Sequence, residues 1–172
     1  MSTFVNFLPS FRLARTHDIE SLLLIEKLTF SSHHYRLLST ADYNHFLSTN
    51  NASVWVVEME KTPCASMILS HKTHAVFAQI ESLVVRPKCQ KKGLELLLIQ
   101  LAEKFLVDHG IYKLNLSVRS DNIRLIERYK RHGFKIDQKI HCFYPDNEAC
   151  FRLIKQLPQS KRGFSRGSPA LP

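Results

Sequence analysis

The sequence predicts an α/β fold, more closely an α+β mixed sheet with helices packed against it. Three observations carry this. Runs rich in β-branched and aromatic residues recur along the chain and read as strands. Segments with apolar residues at helical spacing lie between them. One such helix separates two strand-like runs between Val76 and Val118, and a strand–helix–strand crossover of that kind requires parallel neighbours. Polar turns elsewhere give hairpins, so the sheet must be mixed.

Each element has its own signal. Phe11 to Ala14 alternates as a short strand. Thr16 is a candidate N-cap for a helix whose apolar positions are Ile19, Leu22, Leu23, Ile25 and Leu28. Residues 30–38 form a loop, and Ser39 or Thr40 caps a second short helix ending near Leu47. Ser53–Met59 and Cys64–His71 are the arms of a hairpin across the polar turn at 60–63. After a turn at 72–74 comes a strand over Val76–Val85. Strict alternation puts Phe77, Gln79, Glu81, Leu83 and Val85 on one face and Ala78, Ile80, Ser82 and Val84 on the other. Pro87 ends it, because proline cannot donate to a ladder. Leu94, Leu97, Leu98, Leu101 and Phe105 then mark a helix stopped at Gly110. Leu114, Leu116 and Val118 alternate as a strand, and the Ser120-Asp121-Asn122 cluster opens a helix that Gly133 closes. Phe134–Phe143 and Ala149–Ile154 are the last two strands.

Composition bounds the rest. The chain has 172 residues, 44% of them apolar and 23% charged, which excludes a wholly disordered protein and suits one domain with a sizeable core. That domain is expected over 1–157, with a basic, disordered tail over 158–172. Twenty-four Lys and Arg against 15 Asp and Glu give a formal charge of +9. The longest apolar cluster is broken by Glu95, Gln100, Glu103 and Lys104, so no membrane span is expected. The four cysteines form no CxxC pair, which points to free thiols in a reducing cytoplasm and to no metal site. A monomer or homodimer is expected.

The chemistry sits in the stretch Arg86-Pro87-Lys88-Cys89-Gln90-Lys91-Lys92-Gly93 and the helix after it. A helix N-terminus offers unpaired N–H groups and the positive end of the macrodipole. A glycine there lets an anion approach the backbone, and Arg86, Lys88, Lys91 and Lys92 add attraction. Together they suit a pyrophosphate.

These residues resemble the GNAT acyltransferase superfamily. Its first signature, an apolar strand ending in V-x-P and then Q/R-x-x-G-x-G/A opening a helix, is matched by Val85-Arg86-Pro87 and Gln90-Lys91-Lys92-Gly93-Leu94-Glu95. Its second, a strand, an Asn, a helix with a Tyr, then Gly-Phe, is matched by Leu116 to Asn122, Tyr129 and Gly133-Phe134. The nearest flavour is the ribosomal-protein alanine N-terminal acetyltransferase type, suggested by Leu116 to Phe134 and by Phe143-Tyr144-Pro145-Asp146. The resemblance implies the GNAT-type fold and an acetyl-CoA-dependent N-acetyltransferase acting on a primary amine, a protein N-terminal amine among the candidates.

It also implies roles. Leu83, Val84 and Val85 would offer backbone contacts to the pantetheine and the acyl oxygen. Lys91, Lys92, Gly93, Leu94, Glu95 and Leu96 would surround the pyrophosphate, and Asn122 would contact the cofactor. Glu81 is the candidate base, since an acceptor ammonium must lose a proton before it can attack. Tyr129 is the candidate acid for the leaving sulfur. Tyr35 and Arg36, in the loop between the first two helices, are candidates for touching the acceptor. Two positions depart from the pattern. Glu95 stands where the family has a small residue, and Ser117 where enzymes of this flavour carry a glutamate. Two other readings remain at this level: a degenerate acyl-CoA-binding or regulatory module, and acetylation of an aminoacyl-tRNA amine. No dedicated nucleic-acid motif is present.

Overall fold

The structure is a computed structural model that describes residues 9–71 and 76–159. The turn expected at 72–74 and the tail from 160 onward lie outside the described residues. Along the chain run β1 (Ser10–Leu13), α1 (Ile19–Thr29), α2 (Thr40–Ser48), β2 (Ala52–Met59), β3 (Thr62–His71) and β4 (Ala78–Val85). Then follow α3 (Leu94–Asp108), β5 (Lys113–Arg119), α4 (Ile123–Arg131), β6 (Lys135–Ile140) and β7 (Cys150–Gln156). The order of helices and strands is the one the sequence implies.

The seven strands form one sheet in the order β1-β2-β3-β4-β5-β7-β6. Only β4 and β5 run parallel, joined by the crossover through α3. Two cores cover the sheet. Leu94, Leu98, Ala102 and Leu106 of α3 and Ile126 and Tyr129 of α4 pack on one face, with Met67, Ile80, Leu114 and Leu116 beneath them. Ile19, Leu22 and Ile25 of α1 and Tyr43 of α2 pack on the other, over Val54, Val56, Ile68 and Val84.

Four expectations need correction. The register of β4 against β3 slips between Ile68 and Leu69, which pair with Ser82 and Ile80 and leave Glu81 as the extra residue of a bulge. A bulge shifts the alternation by one. Ala78 and Ile80 therefore share the α3 face with Leu83 and Val85, while Ser82 and Val84 turn toward α1. Leu28, placed in the buried stripe of α1, is 52% exposed, and Glu26 is buried instead. Asp18, rather than Thr16, organises the start of α1: its carboxylate accepts the Arg15 N–H at 2.7 Å. The last hairpin is shorter than its pattern, because β6 stops at Ile140 and β7 begins at Cys150. Cys142 and Asn147 in the intervening loop hold φ of 49° and 63°, which no strand tolerates.

Asp18 also fastens β1. Arg12 donates to both of its oxygens at 2.8 Å, and to Glu58 of β2 at 2.6 Å. The Arg12 guanidinium holds the Asp18 carboxyl down to about 2. A lowered carboxyl pKa stabilises the fold above the unfolded value of about 4, and that contribution is lost as pH falls toward about 2. Asp18→Asn is expected to cost about 1–2 kcal/mol at pH 7. In urea melts against pH, the variant's deficit should vanish below about pH 2.

Candidate functional site

The parallel pairing of β4 and β5 covers Ala78 to Ile80 against Leu114 to Leu116 and then stops. Beyond it β4 runs on to Val85 and β5 to Arg119, and the two diverge. Arg86 N–H donates to Cys64 O of β3, so strand alternation turns the peptide groups of Leu83 and Val85 the other way, into the gap. The Val85 carbonyl there accepts from Thr29 Oγ1 at 3.3 Å and from Gln90 Nε2 at 3.4 Å. The gap widens into a cleft of about 1180 Å³. That exceeds the usual volume of a small-ligand pocket, about 300–1,000 Å³.

One end of the cleft is closed by the loop before α3. Cys89 is buried at the end of a single turn, Pro87–Cys89, and its thiol donates to Cys64 Sγ at 2.7 Å. This anchors the loop to β3. Burial pushes the Cys64 thiol up to about 11. Lys91 and Gly93 both take left-handed backbone, φ 66° and 76°. For Lys91 this costs on the order of 1 kcal/mol. Gly93 escapes that cost, and the space where its Cβ would stand is open. The first N–H groups of α3 thus open onto a wall free of side chain, next to the gap-facing peptides of β4. An extended ligand with a phosphate at one end fits this arrangement: an anion at the helix terminus and a polar chain along an unpaired strand edge.

Most of the cofactor residues expected from the sequence line the cleft: Leu83, Val85, Lys91, Gly93, Leu94, Glu95, Leu96 and Asn122. Two do not. The Val84 side chain is buried beneath α1, leaving only its backbone, and Lys92 is exposed outside the wall. Asn122 caps α4, its Oδ1 accepting the Leu125 N–H at 3.2 Å. Glu95 turns across to α4, where Arg128 donates to it at 2.8 Å. Its charge is therefore matched, which answers how a carboxylate can occupy the family's small-residue position.

Both catalytic candidates are on the wall. Tyr129 is 6% exposed, with its ring 5.7 Å from that of Phe134 and its hydroxyl beside the Glu95 carboxylate. Burial first, then Glu95, pushes its pKa well above the usual phenol value. Glu81, the bulge residue, is exposed, and its carboxylate has no side-chain hydrogen bond or ion pair among the described residues.

A second carboxylate was not found by sequence reasoning. Glu26 of α1 also lines the cleft and is 2% exposed. Ser82 Oγ donates to its Oε1 at 2.6 Å, and the Leu38 N–H supports it. Burial raises its pKa. Its signal was available: Glu26 falls at i+7 from Ile19 and i+4 from Leu22, positions on the buried stripe.

The far wall is aromatic. Tyr35 stacks on Phe30 at 4.6 Å and meets Tyr144 edge-on at 5.3 Å. Arg36 reaches the rim, where it pairs with Asp42 at 3.0 Å. Arg119 holds this wall together. It is 7% exposed, and all five of its N–H donors are engaged: by Asp121, by Asp146 of the β6–β7 loop, and by the His34 carbonyl. Its guanidinium lies 4.9 Å from the Tyr144 ring and 5.6 Å from the Tyr35 ring. One side chain thus fixes two loops and the rings they carry. Among the described residues no three His, Cys, Asp or Glu side chains cluster as a metal site, and no helix is long and apolar enough to cross a membrane.

The fold, the split pair of strands and the glycine-opened helix make this cleft the candidate ligand site. The chain matches the sequence profile of the acetyltransferase (GNAT) family over residues 17–134, and it belongs to that family. A search of curated proteins by sequence finds no match. Solved structures share the fold. The ribosomal-protein-S18-alanine N-acetyltransferase of Escherichia coli superposes with a TM-score of 0.80 at 18% identity, covering 91% of this chain and 98% of that one. Ard1 from Thermoplasma volcanium gives 0.79 at 18% identity, over 88% and 99%. The NatC complex bound to Gag peptide and CoA gives 0.74 at 15% identity, over 87% and 99%.

Arg119→Lys keeps the charge but cannot make two bidentate pairs. It is expected to raise the KM for the acceptor roughly tenfold through misplacement of the aromatic wall. CoA affinity, measured by calorimetry, should stay unchanged.

Proposed function

We propose that the protein transfers an acetyl group from acetyl-CoA to a primary amine, a protein N-terminal amine among the candidates. The divergence of β4 from β5 beneath the N-terminus of α3 carries this reading. When bound, the cofactor supplies an activated acyl thioester. The residues of the chain do the rest. Lys91, Gly93, Leu94 and Leu96 surround the phosphate end. The Leu83 and Val85 peptides, turned into the gap, would hold the polar chain and could offer N–H donors to the acyl oxygen.

The acceptor nitrogen reaches the cleft as an ammonium and must lose a proton. We assign this to Glu26, whose raised pKa makes its carboxylate a stronger base than one in water. Glu81, exposed at the bulge, is another carboxylate on the wall, while Glu95 is paired with Arg128. Tyr129 Oη stays protonated at neutral pH and can give that proton to a departing thiolate. The NatC structure, bound to CoA and a peptide on the same fold, supports the cofactor and acceptor classes.

The reading is tested by incubating the protein with acetyl-CoA and a panel of peptides and small amines while titrating free thiol. Turnover with at least one amine is expected. CoA binding without turnover on any amine would favour a degenerate binding module instead. Glu26→Gln should lower kcat/KM about 100-fold or more and remove the acid limb of the pH profile. That limb should lie above the ordinary glutamate value, because an acid of raised pKa ionises only at higher pH. Glu81→Gln should cost less than tenfold, and the reverse ranking would move the base to Glu81. Tyr129→Phe should lower kcat about tenfold or more with CoA affinity near normal.

A further inference from the structure

The β5 side chains alternate between the two sheet faces. Leu114, Leu116 and Val118 join the core beneath α3 and α4. Ser117 and Arg119 therefore point to the α1 side, where Glu26 and Tyr35 stand. Ser117 lies directly opposite Arg152 in the antiparallel ladder with β7, and directly opposed residues share a face. Both line the cleft.

Two arginines thus stand on the acceptor wall in opposite circumstances. Arg119 has every donor engaged. Arg152 has no ion pair among the described residues, and its Nε is shut off from solvent without a hydrogen-bond partner. Asp121 and Asp146 are committed to Arg119, Glu26 to Ser82 and Glu95 to Arg128, and Glu81, which also lines the cleft, makes no ion pair with Arg152. Ser117 is small and neutral, so it leaves the guanidinium both room and an unmatched charge. A partly desolvated cation without a counter-charge is costly. A carboxylate, planar with two acceptor oxygens, matches a guanidinium fork.

We propose that the acceptor is an amine that also carries a carboxylate, and that Arg152 binds this carboxylate. The inference rests on the acyl-transfer reading above and narrows its acceptor. The amine is held toward Glu26 and the carboxylate toward Arg152 on the same wall. Two sources share this chemistry: a free amino acid, and an amidated or longer peptide beginning with an acidic residue.

The test uses matched acceptor pairs and free-thiol release. One arm compares alanine with alaninamide. The other compares C-terminally amidated peptides that begin with Asp or Glu with those that begin with Asn or Gln. In at least one arm the carboxylate member should have a kcat/KM about tenfold higher or more. The arm that responds identifies the source. Arg152→Gln should abolish the preference and Arg152→Lys retain part of it, with CoA affinity unchanged in both. Equal values across every pair, or a preference that survives in Arg152→Gln, overturns the inference and leaves acetyl transfer standing. If no amine is acetylated, acetyl transfer itself fails, and binding decides the inference separately. Calorimetry on CoA-loaded protein would compare N-acetylalanine with its amide and N-acetylaspartic acid α-amide with N-acetylasparagine amide. Carboxylate-selective binding lost in Arg152→Gln supports it. Equal binding, or none, overturns it.

Discussion

The site depends on one constraint: two parallel strands that pair over three residues and then separate. A separating pair leaves backbone donors and acceptors without partners, and an interior cannot hold them unpaired. A long polar ligand laid along the open edge would supply the missing partners. The bulge at Glu81 is part of the same arrangement. It bends β4 where pairing with β5 ends, and by shifting the alternation it aims Ser82 at Glu26 and leaves Leu83 and Val85 over the core of α3.

Around this gap the fold places three different devices. The loop before α3 is anchored from below by Cys89 on Cys64 and opened above by Gly93. The bridge from Glu95 to Arg128 ties the start of α3 to α4 and brings a carboxylate to the Tyr129 hydroxyl. The aromatic rings of the far wall are carried by loops, which by themselves would be mobile. Arg119 fixes them by gathering two aspartates, a carbonyl and two rings about one guanidinium.

Much of this was legible in the sequence because it is local. The crossover, the element order and the Gly93 helix start follow from short-range patterns, and the family resemblance pointed to residues 91–96, all of which but Lys92 line the cleft. What escaped depends on tertiary pairing or breaks a local rule. A single-residue bulge leaves no mark in an alternating pattern, yet it reverses every face after it. Glu26 escaped because a carboxylate on a buried stripe contradicts the hydrophobic pattern used to find the stripe. Its burial is tolerated through Ser82, a residue far along the chain whose orientation only the bulge explains. Arg119 and Arg152 look alike as sequence, two basic residues in alternating strands. Only the ladder and the β6–β7 loop show that one is saturated and the other is not.

The central claim is that the edge of β4 facing the gap receives the cofactor. Amide hydrogen exchange at Leu83 and Val85, followed residue by residue with and without acetyl-CoA, measures it directly. Both amides should exchange more slowly when acetyl-CoA is present, while Val84, already turned toward β3, changes little. Unchanged exchange at Leu83 and Val85 under saturating acetyl-CoA would contradict it.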